Sequence, residues 1–395
     1  MQVNISTINY ISNSKKNLGQ FFTTNSDYIL QGFESLVKDR NIIDPFCGAG
    51  DLLSWASVNR AKSIIGYDID SSYINNTTSF LNNSIQKPKD YSKKDDFILT
   101  NPPYLYTNYN DNKSILQNTK HTDLYHLSLE SLLNSNEGIV IVPINFLSSS
   151  NAKYIREIFF AKFKIVKANF FTKAVFADTT ISVIAFYYIK KSIVDNNNFS
   201  FKLSIFPENI NINITLEKKY NWQIGGDFLS LINNQKNTLN AKRLLEEDML
   251  KNFGNVKVKC AYNHLKDIKE YAISSKFKGT LNSNIIILKA IDSGTNEGKI
   301  SLIDRRNYNI DALVSKHTSR NQIQIMLENV SVLEQEFIIK EFNAILNTMR
   351  EKYFSLFITN FRDNNRKRIS FDFVYNLINF IYYKNFVNSK DLLKD

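Results

Sequence analysis

Asn101-Pro-Pro-Tyr104 is the stretch whose residue types and spacing could do chemistry, an amide and an aromatic ring flanking two prolines just past the apolar run Phe97-Ile-Leu-Thr100. Pro102 and Pro103 remove two N–H donors and restrict φ, so the loop presents acceptors with little freedom, namely the Asn101 side-chain oxygen and the Pro102 carbonyl. An aromatic amine is a poor nucleophile because its lone pair is delocalised into the ring. Two acceptors drawing on its hydrogens pull the nitrogen toward tetrahedral geometry and free that pair. If the electrophile is already activated, positioning and hydrogen-bond electrostatics carry most of the rate and no strong base is required. A base bearing such an amine has to leave the duplex at a cost of a few kcal/mol. Tyr104 offers a ring to receive it, with stacking worth ~1–3 kcal/mol per base.

A second chemical signal lies upstream. Asp44-Pro-Phe-Cys-Gly48-Ala-Gly50 follows an apolar strand and precedes a helical run, the geometry that holds a nucleoside ligand at strand carboxyl ends. Gly48 and Gly50 let the backbone approach that ligand. Neither the three-glycine dinucleotide fingerprint nor a Gly-Lys-Ser/Thr ending is present, which disfavours dinucleotides and nucleoside triphosphates. Asp44 suits a ligand with a positive amino group, such as the methionine end of S-adenosyl-L-methionine. Asp68 ends the next strand, in Ile64-Ile-Gly-Tyr-Asp68, where a carboxylate accepts from both ribose hydroxyls.

These motifs, in this order, resemble the gamma class of DNA adenine-N6 methyltransferases, the modification enzymes of type II restriction-modification systems. The resemblance covers about residues 17–188 and includes Asn17-Leu-Gly-Gln-Phe-Phe-Thr23, similar to the family's first cofactor segment. It implies that Thr23 holds the methionine carboxylate, that Gly48 and Gly50 line the cofactor, and that Asn101, Pro102, Pro103 and Tyr104 form the catalytic loop. Ala174-Val-Phe176 resembles the segment whose aromatic sandwiches the flipped adenine, making Phe176 the second stacking ring. The family usually shows an Asp for the cofactor's adenine amine; here Asn83 stands as the candidate. His121 and His126 are expected to be structural or phosphate contacts. The implied partner is double-stranded DNA, modified by a monomer, with any cognate restriction endonuclease acting separately. Asn-Pro-Pro-Tyr also occurs in RNA adenine and protein glutamine methyltransferases, which remain the alternative reading.

The elements that must position these residues follow from apolar periodicity. Asn41–Asp44, Ser63–Asp68, Phe97–Thr100 and Gly138–Val142 read as buried parallel strands with crossover helices, and Phe163–Phe171 and Thr179–Tyr188 as further strands. The expected fold is α/β: a doubly wound, mostly parallel seven-stranded Rossmann-like methyltransferase sheet over residues 1–190. An α+β target-recognition domain is expected over residues 191–395, with the boundary at the polar run near Val194. The 395 residues suffice for two domains at roughly 100–200 each.

The net charge of +11 divides as about +3 over Met1–Lys190 (19 basic, 16 acidic residues) and about +8 beyond (30 basic, 22 acidic). The second region therefore looks like the part that meets phosphate. Lys251–Lys278 and Arg362–Arg368 are its candidate phosphate contacts. Two cysteines give no disulfide framework or metal cluster. No window reaches the ~18 apolar residues of a membrane span, and the N-terminus lacks a signal-peptide layout, so a cytoplasmic protein is expected.

Overall fold

The computed structural model describes residues 23–104, 116, 119–177, 179–192, 197–233, 237–292, 299–319, 321–358, 360–361 and 367–387. The chain divides into two compact units. One reaches Gly226 and takes in Phe361; the other is built from the remaining residues after Gly226.

In the first unit, β1 (Asn41–Asp44), β4 (Asp96–Thr100) and β5 (Glu137–Pro143) are buried along almost their whole length. Unbroken apolar runs produce this, because a central parallel strand is covered on both faces. β2 (Ser63–Asp68) and β3 (Ser79–Leu81) extend the sheet beyond β1, and these five strands pair in parallel. β6 (Phe163–Phe171) and β7 (Val183–Lys190) follow, β7 lying antiparallel between β5 and β6. The order β3-β2-β1-β4-β5-β7-β6 is the mostly parallel arrangement expected.

Two expectations are corrected by what comes next. The sheet has nine strands, not seven: β8 (Asn198–Phe206) pairs in parallel with β6, and β9 (Ile210–Glu217) runs antiparallel to β8. The first unit accordingly continues to Gly226 instead of ending at residue 190. The cause is local. Phe199, Phe201, Leu203 and Ile205 alternate with polar residues and are all buried, so β8 buries one face and caps the sheet edge that a boundary at residue 190 would leave open.

The chain builds outward from β1 through β2 to β3, then returns to β4 on the other side of β1. The order therefore reverses between β1 and β4, the switch point at whose carboxyl ends open α/β sheets form their ligand-binding crevice. Helix α1 (Asp51–Val58) follows the glycine turn and packs on β1, β2 and β4. Helices α2 (Leu124–Ser131) and α3 (Lys153–Lys162) pack on each other.

The second unit mixes helices with short, largely antiparallel sheets. β10 (Lys242–Arg243), β13 (Ile286–Lys289), β15 (Ser301–Asp304) and β17 (Gln322–Met326) form one sheet in the order β10-β17-β13-β15, with a two-residue β14 (Ile291–Asp292) after β13. β11 (Phe253–Tyr262) and β12 (His264–Ile273) make a long antiparallel ribbon flanked by β16 (Ala312–Val314). Near the C-terminus, apolar residues at helical spacing form α4 (Val332–Tyr353) and α5 (Phe371–Tyr382). A capping box starts α4: Glu334 N donates to Ser331 Oγ at 3.3 Å and Ser331 N donates to Glu334 Oε2 at 2.7 Å. Among the described residues no helix is long and apolar enough to cross a membrane, and no cluster of His, Cys, Asp and Glu is placed to hold a metal ion.

Candidate active site

Three loops meet at the β1/β4 crevice. The first is the glycine turn. Gly48 and Gly50 adopt φ of 48° and 86°, the left-handed region that glycine enters without strain. A Cβ built on Gly50 would find nothing within 4 Å, so that side of the turn is open. Opposite, Gly66 of β2 is packed so closely that a Cβ would lie 2.7 Å from Cys47 Sγ and 2.8 Å from Leu53 Cδ1, which seats the turn against the sheet.

Asp68, at the end of β2, braces the turn. Its Oδ2 accepts from the Gly48 amide at 2.8 Å and its Oδ1 from the Asp70 amide at 2.9 Å. Each oxygen has a second lone pair, so the carboxylate that shapes the turn can still accept from a ligand hydroxyl. Burial raises its pKa, against those backbone hydrogen bonds.

Asp44 lies almost fully buried at the end of β1. Its Oδ1 accepts from the Thr100 hydroxyl at 2.6 Å and from the Phe46 amide at 3.0 Å. Burial pushes its carboxyl up to about 7, the two hydrogen bonds pull it down, and Asp68 adds to the rise. A carboxyl raised in the folded state favours folding fully below its unfolded value of about 4 and loses that advantage as pH climbs through its folded value. Asp44→Asn keeps an acceptor for Thr100 and Phe46 without the charge. In urea unfolding it should exceed the native chain in stability at pH 8 by ~1 kcal/mol or more, with the advantage gone at pH 4. A gap unchanged between the two pH values would restore an ordinary carboxyl to Asp44.

The second loop carries Asn101. Asn101 Nδ2 donates to Thr23 Oγ1 at 3.0 Å, and Asn101 Oδ1 accepts from the Tyr104 hydroxyl. Tyr104 is buried, its hydroxyl also within 2.9 Å of the Ile141 carbonyl on β5. Burial raises its phenol far above the ordinary range, so it remains a donor. Pro102 is buried and Pro103 half-buried between them.

Phe176 supplies the third loop, its ring centroid 6.4 Å from that of Tyr104 with planes tilted by 60°. The two rings are thus brought together. They meet as a tilted pair in mutual contact and not as parallel walls, so a base between them requires both to turn and part. Tyr125 of α2 stands edge-on to Tyr104 at 6.4 Å.

Asn83 lies just beyond β3. Its Oδ1 accepts from the Gln86 amide at 3.1 Å, while the neighbouring Asn82 amide donates to the Asp68 carbonyl at 2.8 Å, which puts Asn83 close to the β2 end. His121 is buried with Nε2 2.5 Å from Glu130 Oε2. His126 is more deeply buried, and its ring is pushed down to about 3 by burial first and by His121 and Arg156 next, which makes it a neutral core residue. In the second unit Lys257, Lys259 and Lys266 stand exposed on the β11–β12 ribbon, whereas Lys269 is tied to Glu246. The Arg362–Arg368 cluster lies outside the described residues except for the backbone of its last two. Cys47 in the glycine turn and Cys260 on β11 are buried, which pushes both thiols up, Cys260 to about 12.

Thr100 escaped the sequence reading, although a lone hydroxyl ending an otherwise apolar strand was a usable signal. Arg156 of α3 escaped too. Its side chain is wholly buried, and its Nε and Nη1 donate to the carbonyls of Asn221, Phe146 and Ser149 at 2.9, 2.9 and 2.6 Å.

No family model matches the chain, and no curated protein matches it. Several solved structures are similar to part of it. A modification subunit ascribed to a type I restriction enzyme of Vibrio vulnificus YJ016 shares 18% identity at a TM-score of 0.38, over 52% of this chain and 51% of that one. The M protein of the type I restriction enzyme EcoKI shares 13% at a TM-score of 0.38, over 52% of each. The methyltransferase subunit of a type I restriction-modification system from Streptococcus thermophilus shares 14% at a TM-score of 0.34, over 47% and 48%. The match spans about half the length of these structures. At such values the likeness says nothing of the site, which stands on its own residues.

Proposed function

We propose that the chain is an S-adenosylmethionine-dependent methyltransferase acting on the N6 amine of adenine in DNA, in a restriction-modification system. The observation that carries this reading is the Asn101 amide, fixed on both sides at the carboxyl end of β4, beside a glycine turn whose flanking acids are Asp44 and Asp68.

The donor set fits the cofactor. Gly50 leaves an open side for a nucleoside. Asp68 retains lone pairs for ribose hydroxyls, and Asp44 offers a carboxyl whose remaining oxygen suits an amino group. Asn83 is the residue we assign to the adenine end. When bound, S-adenosylmethionine would supply a sulfonium methyl group for transfer to the amine nitrogen, its sulfur being left as a neutral thioether and the amine's proton passing to solvent.

This chain's part is positional. Asn101 Oδ1 and the Pro102 carbonyl accept from the two amine hydrogens, which localises the nitrogen lone pair toward the methyl group. Pro102 and Pro103 keep that loop from relaxing away. For the amine to reach Asn101 Oδ1, the Tyr104 hydroxyl must yield it and fall back on the Ile141 carbonyl, while the Tyr104 and Phe176 rings turn and part to take the base between them. The exposed lysines of the β11–β12 ribbon fit phosphate contacts, and a nuclease, where one exists, acts as a separate protein.

Incubation with unmodified double-stranded DNA and labelled cofactor, followed by mapping of the label, tests the reading, which requires methyl groups on adenine at a defined sequence. Label on RNA or on a protein amide, or none on DNA, would sink it. In the same preparation, Asp68→Ala should weaken cofactor binding about tenfold or more in calorimetry, through loss of a charge-assisted hydrogen bond and of the brace on Gly48.

A further inference from the structure

Thr23 is buried, and its hydroxyl makes a single hydrogen bond among the described residues: it accepts from Asn101 Nδ2 at 3.0 Å. A hydroxyl has one proton to give and two lone pairs. The accepting side is used, while the buried proton has no acceptor in the described chain. The residue it grips is the one whose orientation matters most, because a carboxamide turned by 180° presents NH2 where it presented oxygen.

We infer that Thr23 is a positioning residue that couples the cofactor's carboxylate to the orientation of the Asn101 amide. The inference rests on the methyltransferase reading above and adds a connection between its two halves. With its proton committed to a carboxylate, the Thr23 hydroxyl can only accept from Asn101, so Nδ2 must face Thr23 and Oδ1 must face the target amine. With no carboxylate present, the hydroxyl can rotate and donate to the oxygen of a flipped amide, and both orientations are satisfied. The flipped one sets NH2 against the substrate's own N–H donors. The cofactor thus selects the acceptor-forward amide, and cofactor and target adenine bind with positive coupling.

Two nucleosides separate this from a general stabilising effect. S-adenosylhomocysteine carries the carboxylate; 5′-methylthioadenosine has the same nucleoside and no amino-acid end. For the native full chain, S-adenosylhomocysteine should raise the affinity for DNA containing the target adenine about fivefold or more, read by fluorescence anisotropy, and 5′-methylthioadenosine should not. Thr23→Val, which keeps the shape without the hydroxyl, should abolish that coupling and lower kcat about tenfold, the scale of one lost hydrogen bond. Thr23→Ser should restore both. Retained binding of 5′-methylthioadenosine by Thr23→Val reports that the variant is folded; its loss would put Thr23 in the fold and overturn the inference. Native-like coupling and kcat in Thr23→Val, or equal coupling from both nucleosides, would also overturn it while leaving methyl transfer in place. A native chain that binds neither nucleoside and methylates nothing overturns the underlying reading instead.

Discussion

Asn101→Ala should reduce methyl transfer at least about 100-fold while leaving cofactor affinity within a few-fold of the native chain. The size follows from the role. An acceptor preorganised against a hydrogen that becomes more acidic in the transition state is worth ~2.7–4 kcal/mol, about 100- to 1,000-fold in rate, when removed. The selectivity follows from the geometry, since the amide is hydrogen-bonded to Thr23 and Tyr104 whereas the glycine turn is braced independently by Asp68. Single-turnover rates with saturating cofactor isolate the step, and calorimetry gives the affinity. Turnover within tenfold of the native rate would remove Asn101 from catalysis. An equal loss in cofactor affinity would mean that the substitution collapses the crevice.

The second large effect concerns stability. Arg156→Ala should destabilise the first unit by ~3 kcal/mol or more, because it strips donors from the buried carbonyls of Phe146, Ser149 and Asn221, each costing about 1–3 kcal/mol when left unpaired. The arginine is itself costly. Burial pulls its pKa down to about 10, and no ion pair with a carboxylate is found for it among the described residues. Its gain is in binding three stretches of backbone at once, two just after β5 and one after β9. Arg156→Met, which restores much of the volume but no donors, should recover only part of the loss. Urea unfolding at constant m checks both, and a loss under ~1 kcal/mol in Arg156→Ala would show that water reaches those carbonyls.

Much of the site was legible because it is written in short, local signals. The glycine turn and the Asn-Pro-Pro-Tyr loop each follow an apolar run, and strands of that kind end where a parallel sheet presents its ligands. Asp68 was legible from its offset of 20 residues from Gly48, and the two do share a hydrogen bond. What local signals cannot carry is which strands are neighbours. Asp44 and Thr100 are 56 residues apart and Thr23 and Asn101 are 78 apart; the first of these bonds exists because β1 and β4 lie side by side. The extra strands failed for another reason. The alternation in Phe199-Ser-Phe-Lys-Leu-Ser-Ile205 is that of a strand, but the polar, turn-prone run just before it carries the local signature of a boundary. The tilt of Tyr104 against Phe176 was beyond reach, since a motif names rings without orienting them.

The placement of the two cysteines has a practical consequence. Cys47 sits in the first unit and Cys260 in the second, each shielded from solvent and each kept protonated by its surroundings. Only the thiolate attacks an alkylating reagent, so each sulfur becomes reactive only while its own unit is open. The native chain therefore carries a pair of built-in clocks, and pulsed alkylation read by peptide mass times the opening of the two units separately, without an engineered label.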